Sequence, residues 1–282
     1  MSDAPLRRPL GLVLAGGGAL GAWQAAALRE LDRAGLAFDA VLGFSAGSLN
    51  GAAYSLGVLD LAVEGWAQCD ALLRFRPRLN PPAIFSSEPV WNSLSYAHDD
   101  ERARRDMRCR LIVPSSRWQR DRRIHAEFDP KRGVWDGPLA RHLMASCAIP
   151  TIFPPVTLEH RGESHTLLDG GVPTKDGFTF LPLGEVLDVV VLEMIRPEEV
   201  GRRAWLPHHA ADQASRDTCR RHMDQGVESL RRARPGTRVF RVHPSRPLWR
   251  MLDFSPAKAR LAAEIGAADG RGFLSRPQAF LA

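Results

Sequence analysis

Short apolar runs, each leading into glycine or into a polar stretch, recur along this chain and predict strands alternating with helices. The first run covers residues 10–15 (Leu10-Gly11-Leu12-Val13-Leu14-Ala15). After it, Leu20, Trp23, Ala27, Leu28 and Leu31 recur at helical spacing until Gly35 ends the helix. Residues 38–42 predict a second strand, residues 46–56 a second helix and residues 59–73 a third. The chain therefore opens as a β-α-β-α unit.

The pattern changes over residues 74–135, where Pro77, Pro81, Pro82 and Pro89 interrupt a segment rich in Arg, Asp and Ser. A strand over 109–113 with a hairpin partner over 123–128 is expected within it, and the whole segment is expected as a cap or insertion beside the site. A helix over 139–148 is stopped by Pro150. Residues 156–158 and 166–168 read as a hairpin around Arg161-Gly162. Val189-Val190-Val191-Leu192 has the unbroken β-branched character of a strand covered on both faces. A polar, arginine-rich helix over 208–233, a strand over 238–242 and a helix over 256–268 complete the chain. Alternating strands and helices predict a three-layer α/β/α fold with a mostly parallel central sheet. The expected organisation is one domain over residues 1–282, with residues 200–282 as a helical C-terminal extension.

Two of the strand-to-helix junctions carry chemistry. Gly16-Gly17-Gly18-Ala19-Leu20-Gly21 follows the first strand, and Gly43-Phe44-Ser45-Ala46-Gly47 follows the second. In the GxSxG pattern, Gly43 and Gly47 permit a tight turn that lifts the Ser45 hydroxyl above the sheet. Ser45 then lies at a helix N-terminus, where the helix dipole favours developing negative charge. The bare N–H groups of Gly16, Gly17 and Gly18 can hold an oxyanion. A nucleophile and an anion cradle on neighbouring strands point to an acyl hydrolase. The competing reading of Gly16-x-Gly18-x-x-Gly21 is a dinucleotide fingerprint, which needs an acid at the end of the second strand. Asp39 has about the right separation but precedes that strand instead of following it. For the base, an α/β-hydrolase arrangement would use His243 after the last strand, although only one strand precedes the one that carries Ser45.

Composition adds limits. With 282 residues, 44% hydrophobic and 25% charged, the chain has the make-up of a globular domain, and no apolar run reaches the ~18–20 residues of a membrane span. Residues 6–22 imitate a secretory leader, but cleavage there would destroy the first strand–helix unit. Cys69, Cys109, Cys147 and Cys219 are too scattered for a zinc site and too few for a disulfide framework, so a reducing cytoplasm is expected. The formal charge of +6 comes from arginine, with only Lys131, Lys175 and Lys258 as lysines. Residues 108–123 hold six arginines and Trp118 against the single acid Asp121. That stretch reads as a solvated basic face or a contact for anionic lipid head groups, and it lacks the glycine or aromatic signature of an RNA module.

The glycine loop, the GxSxG elbow and a late Asp169-Gly170-Gly171 together resemble the patatin-like phospholipase family. The segment Ala145-Ser146-Cys147-Ala148-Ile149-Pro150, followed by Phe153-Pro154-Pro155, is similar to the family's approach to its aspartate. Resemblance extends over about residues 8–195. It implies a Ser45–Asp169 dyad, an oxyanion hole at Gly16, Gly17 and Gly18, and supporting roles for Gly21, Gly43, Gly47 and Gly170. Asp176 and Asp188 are the alternative carboxylates. The implied activity is cleavage of lipid ester bonds through an acyl-enzyme, peripheral to a membrane, with no cofactor, no metal and no nucleic acid. Transfer of the acyl group to an acceptor other than water would use the same dyad. Many members carry arginine where this chain has Leu20.

Overall fold

A computed structural model describes residues 6–203 and 206–282. In chain order the elements are β1 (Leu10–Leu14), α1 (Gly21–Arg33), β2 (Ala40–Gly43), α2 (Ala46–Ser55), α3 (Leu59–Ala67), β3 (Arg74–Leu79), β4 (Pro82–Ser86), α4 (Glu88–Ser93) and α5 (Asp100–Asp106). They continue with β5 (Arg110–Arg117), β6 (Arg123–Asp129), β7 (Val134–Trp135), α6 (Leu139–Ser146), β8 (Val156–His160), β9 (Glu163–Leu168), β10 (Asp188–Leu192), α7 (Pro207–Ala233), β11 (Arg238–Val242) and α8 (Pro256–Ser275).

The main sheet runs in the order β11-β10-β1-β2-β5-β6-β7 and is parallel from β11 to β5. β6 and β7 extend it antiparallel, and the β8–β9 hairpin joins through β9. Period-two alternation in β1 assigns its two faces. Leu10, Leu12 and Leu14 pack in the core beneath α1, α2 and α8, with Trp23 and Phe273 fully buried there. Val13 faces the second core, built from Phe178, Phe180 and the buried stripe Met223, Val227 and Leu230 of α7. These are the two outer layers of the expected three-layer fold.

Two expected divisions of the chain are redrawn. The segment 74–135 is not one cap, because the buried residues Leu111, Ile112, Val113, Ala126 and Phe128 fix β5 and β6 inside the main sheet. Only residues 74–106, with the separate β3–β4 hairpin and two short helices, lie outside it. Likewise, residues 200–282 are not a helical extension. β11 is the sheet's edge strand, and α8 lies so close against α1 that a side chain at Gly266 would collide with the Trp23 carbonyl.

The arginines of residues 108–123 do not form a single face either. Arg108 pairs with Asp32, Arg110 with Glu127 and Arg117 with Asp121, while Arg123 is buried. Strand alternation divides them between separate partners, and Arg120 and Arg122 have no carboxylate partner among the described residues.

Candidate active site

Ser45 and Asp169 are brought together by one flank of β5. β2 pairs with Arg110, Leu111 and Ile112 on that flank, and β9 pairs from the opposite direction with Ser116 and Arg117. The two strands approach each other C-terminus to C-terminus and leave residues 113–115 uncovered between them. Pro114 stands at this gap. The N–H and C=O of one strand residue leave on the same side, so an amide here would have found no ladder partner, and proline gives up nothing. Its carbonyl accepts the Ser146 hydroxyl at 2.7 Å, and the same hydroxyl accepts the Ser45 N–H at 3.2 Å.

Ser45 turns the chain from β2 into α2 with φ 52° and ψ −125°, a conformation rarely taken by a residue with a side chain. Its hydroxyl caps no helix N–H. The flanking glycines are required by contact: a Cβ at Gly43 would strike the Gly47 carbonyl, and one at Gly47 would strike the Leu14 carbonyl. The turn is thus held against β1 as tightly as backbone allows.

Asp169 directly follows β9 and is buried. Its Oδ1 accepts the Gly171 N–H at 2.7 Å. Oδ2 is buried with no donor in regular hydrogen-bond geometry, and the Ser45 hydroxyl is the side-chain donor near enough to favour the ionised form. Burial nevertheless dominates and pushes the Asp169 carboxyl up to about 6, against the lowering influence of Ser45, Gly171 and Arg123.

The glycine loop passes beside this pair, with the Gly16 Cα facing the Ser45 Cβ. Among the described residues, the N–H groups of Gly16, Gly17 and Gly18 have no acceptor, whereas Ala19 N–H donates to Met251 and Leu20 N–H to Gly17. Gly18 has φ +56°, and a side chain there would run into the Met251 carbonyl. Three unfilled donors, Ser45 and Asp169 share one cavity of about 610 Å³. Ile149, Val172 and Pro173 line one part of it, Ala211, Ala214 and Cys219 of α7 another, and Met251 and Leu252 a third. Polar groups are sparse, with Arg250 and His208 among them. Burial raises the Cys219 thiol to about 12, which keeps it protonated and a poor nucleophile.

Other candidates are placed elsewhere. Asp39 accepts the Leu10 N–H and pairs with Arg8 at the opposite end of the sheet, so it is unavailable to a ribose. Asp188 is paired with Arg7 and Arg238 at that same end. Asp176 accepts the Arg123 N–H and the Thr174 hydroxyl. His243 follows the edge strand β11, which β10 and β1 separate from β2, and does not line the cavity. Leu20 is fully buried in the core and does not reach the cavity either. Arg123 was unmarked in the sequence. It lies buried beneath the loop that follows Asp169 and donates to the carbonyls of Gly170, Val172 and Gly177 at 3.0, 2.9 and 2.6 Å. Its guanidinium also covers the Phe178 ring, 4.9 Å from the centroid. The alternation of β6 places Arg123 opposite Ile124, but the sequence does not say what covers that face.

A parallel α/β sheet whose adjacent strands end in a glycine loop and a strained serine elbow defines a class of α/β proteins built around a nucleophile turn. Within that class the chain belongs to the patatin-like phospholipase family, whose model matches residues 12–178. It is 26% identical over 301 residues to lysophospholipase NTE1 of Phaeosphaeria nodorum, covering 95% of this chain and 18% of that protein. It is 27% identical over 175 residues to lysophospholipase nte1 of Aspergillus terreus, covering 58% of this chain and 10% of that one. The chain thus spans less than a fifth of the length of these relatives. Among solved structures it is similar to VipD from Legionella pneumophila (TM-score 0.45, 14% identity, 96% of this chain and 67% of that one). It is also similar to the type III effector ExoU (TM-score 0.42, 12% identity, 96% and 53%).

Proposed function

We propose that this protein is a serine acyl hydrolase that cleaves the ester bonds of phospholipids or lysophospholipids with a Ser45–Asp169 dyad. The observation that carries this reading is the joint position of a strained, uncapped Ser45, a buried Asp169 and three unfilled glycine N–H groups around one largely apolar cavity. The names of the fungal relatives point to the same substrate class.

In this mechanism Asp169, ionised near neutral pH, takes the Ser45 proton as Oγ attacks the ester carbonyl. The carbonyl π pair moves onto oxygen, and Gly16, Gly17 and Gly18 N–H groups stabilise the oxyanion. Collapse expels the alkoxide, which takes the proton from Asp169, and leaves the acyl chain on Ser45. Water then gives its proton to Asp169 and attacks the acyl-enzyme, and the fatty acid departs as Ser45 recovers the proton. The apolar lining from α7 and residues 251–252 receives the acyl chain, and Arg250 and His208 meet the polar end of the substrate.

Labelling with a fluorophosphonate, followed by mapping of the modified residue, tests this assignment. Ser45 should carry the label, and Ser45→Ala should lose both labelling and ester hydrolysis. Label on another residue, or ester turnover by Ser45→Ala within tenfold of wild type, would remove the proposal.

A further inference from the structure

The β3–β4 hairpin lies outside the main sheet and holds a combination that folding alone does not explain. All six residues of β3 are exposed, and Leu79 at its tip is 97% exposed, Phe75 72% and Ile84 41%. Arg74, Arg76 and Arg78 alternate with Phe75, Pro77 and Leu79 along the strand. Arg74 is paired with Glu88 at 2.9 Å, but Arg76 and Arg78 have no carboxylate partner among the described residues. Together with Arg141, Ser86 and Ser87 they line a groove of about 660 Å³. The Glu88 carboxylate in the same groove is already neutralised by Arg74.

This hairpin is joined to the wall of the catalytic cavity. Ile84 N–H donates to the Thr151 carbonyl and Phe85 N–H to the Ile152 carbonyl, both at 2.9 Å. The residues just before them, Ile149 and Pro150, line the cavity that contains Ser45. Pro150 also borders a small hollow shared with Pro82 of the hairpin, Arg120 and the half-exposed Trp118. Exposed apolar side chains and unpaired arginines therefore lie next to the site on one connected stretch of surface.

We infer that the β3–β4 hairpin docks the protein on an anionic lipid surface, with Leu79, Phe75 and Ile84 entering the head-group boundary and Arg76, Arg78 and Arg141 receiving lipid phosphates. The inference builds on the lipid-hydrolase reading and adds how the site meets its substrate. Charge complementarity selects the occupant. The protein's formal charge is +6, and a protruding basic hairpin with a few separated apolar side chains suits a fluid anionic layer better than a rigid protein groove. Each arginine near such a surface strengthens binding about fivefold, so losing two weakens it about 25-fold.

Co-sedimentation with phosphatidylcholine vesicles, with and without phosphatidylglycerol, tests the docking. Ser45→Ala as background prevents lipid turnover during the measurement. Binding should require phosphatidylglycerol and fall with added salt. Arg76→Gln with Arg78→Gln should lower it about 25-fold, and Leu79→Ser should lower it further. In the Ser45 background of the native chain, the same hairpin substitutions should leave hydrolysis of a soluble short-chain ester unchanged. Vesicle binding by the double variant equal to that of the parent, or no binding of the parent to either vesicle, overturns the inference; the second outcome would leave the hairpin to a protein partner. Vesicle binding without any ester hydrolysis would instead overturn the proposed activity and leave the docking in place.

Discussion

Arg123 holds the loop behind Asp169 by three carbonyl oxygens, those of Gly170, Val172 and Gly177, while the Asp169 carboxylate itself is bonded to Gly171. The guanidinium thus fixes the position of the carboxylate through the backbone and lowers its pKa through space. The arrangement separates two jobs that a direct salt bridge would merge. A direct pair would hold the carboxylate too firmly in its charged form to serve as a base. Burial, opposed by a charge at one remove, leaves it at about 6.

Replacing Arg123 should therefore move a pH profile as well as a stability. Arg123→Gln removes the charge that lowers the Asp169 pKa, so the acid limb of kcat/KM should shift to higher pH. Arg123→Lys keeps the charge but cannot reach three carbonyls, so its limb should stay near the wild-type position while its Tm falls. Leaving buried carbonyls without donors costs about 1–3 kcal/mol each. Identical limbs in Arg123→Gln and wild type would reduce the residue to a structural clamp.

The wild-type profile has its own sign. In the proposed dyad Asp169 must be ionised to accept the Ser45 proton, and its pKa is raised to about 6. On a neutral ester, kcat/KM should rise tenfold per pH unit below about 6 and level off above it. His243 in place of Asp169 would give a limb that Asp169→Asn leaves intact, whereas the dyad predicts that Asp169→Asn abolishes turnover at every pH.

Stability should respond in the opposite sense to activity. A carboxyl whose folded pKa is raised binds more protons folded than unfolded between about 4 and 6, so its contribution is full below the unfolded pKa and is lost as pH rises through about 6. At pH 7 a buried charge is left in place, at a cost of at most about 3 kcal/mol for a shift of this size. Asp169→Asn should thus be more stable than wild type at pH 7 and lose that advantage below pH 4. Urea unfolding at the two pH values decides it. An Asn variant destabilised equally at both would mean that Asp169 is held by contacts, with no strain from its charge.

Much of this was legible in the residues. The strand–glycine–helix junctions at Gly16 and Ser45 follow from local chemistry, because only glycine fits where Gly43 and Gly47 touch neighbouring carbonyls. Asp169 was legible only through resemblance, since Asp-Gly-Gly is an ordinary turn sequence and nothing local reports that β9 ends opposite β2. That meeting depends on a long-range register along β5, as does the burial of Arg123, whose sequence neighbourhood reads as a solvated basic stretch. Residues 74–135 were misdivided for the same reason: proline and arginine suggest a surface excursion, while the apolar faces of β5 and β6 place them in the sheet. Pairing partners distant in sequence leave no periodic signal of their own.

Among the described residues, the arginine that lines the cavity is Arg250, not a residue of the glycine loop. Leu20 occupies the position where many members carry arginine, and it is fully buried among core residues, away from the cavity lining. An arginine placed there would bring an unpaired charge into the core, so Leu20→Arg should cost stability before it changes specificity. Arg250, from the segment after β11, is exposed, lines the cavity and has no carboxylate partner among the described residues. In the proposed function it meets the substrate phosphate while the acyl chain lies along Leu252 and α7. Arg250→Ala should therefore raise KM for a lysophospholipid about tenfold, in keeping with the loss of one charge-assisted hydrogen bond. Turnover of an uncharged short-chain ester should change little. If both substrates lose the same factor, Arg250 shapes the cavity wall without reading the head group. If neither changes, the head group lies elsewhere along the rim, and His208 is the next side chain to replace.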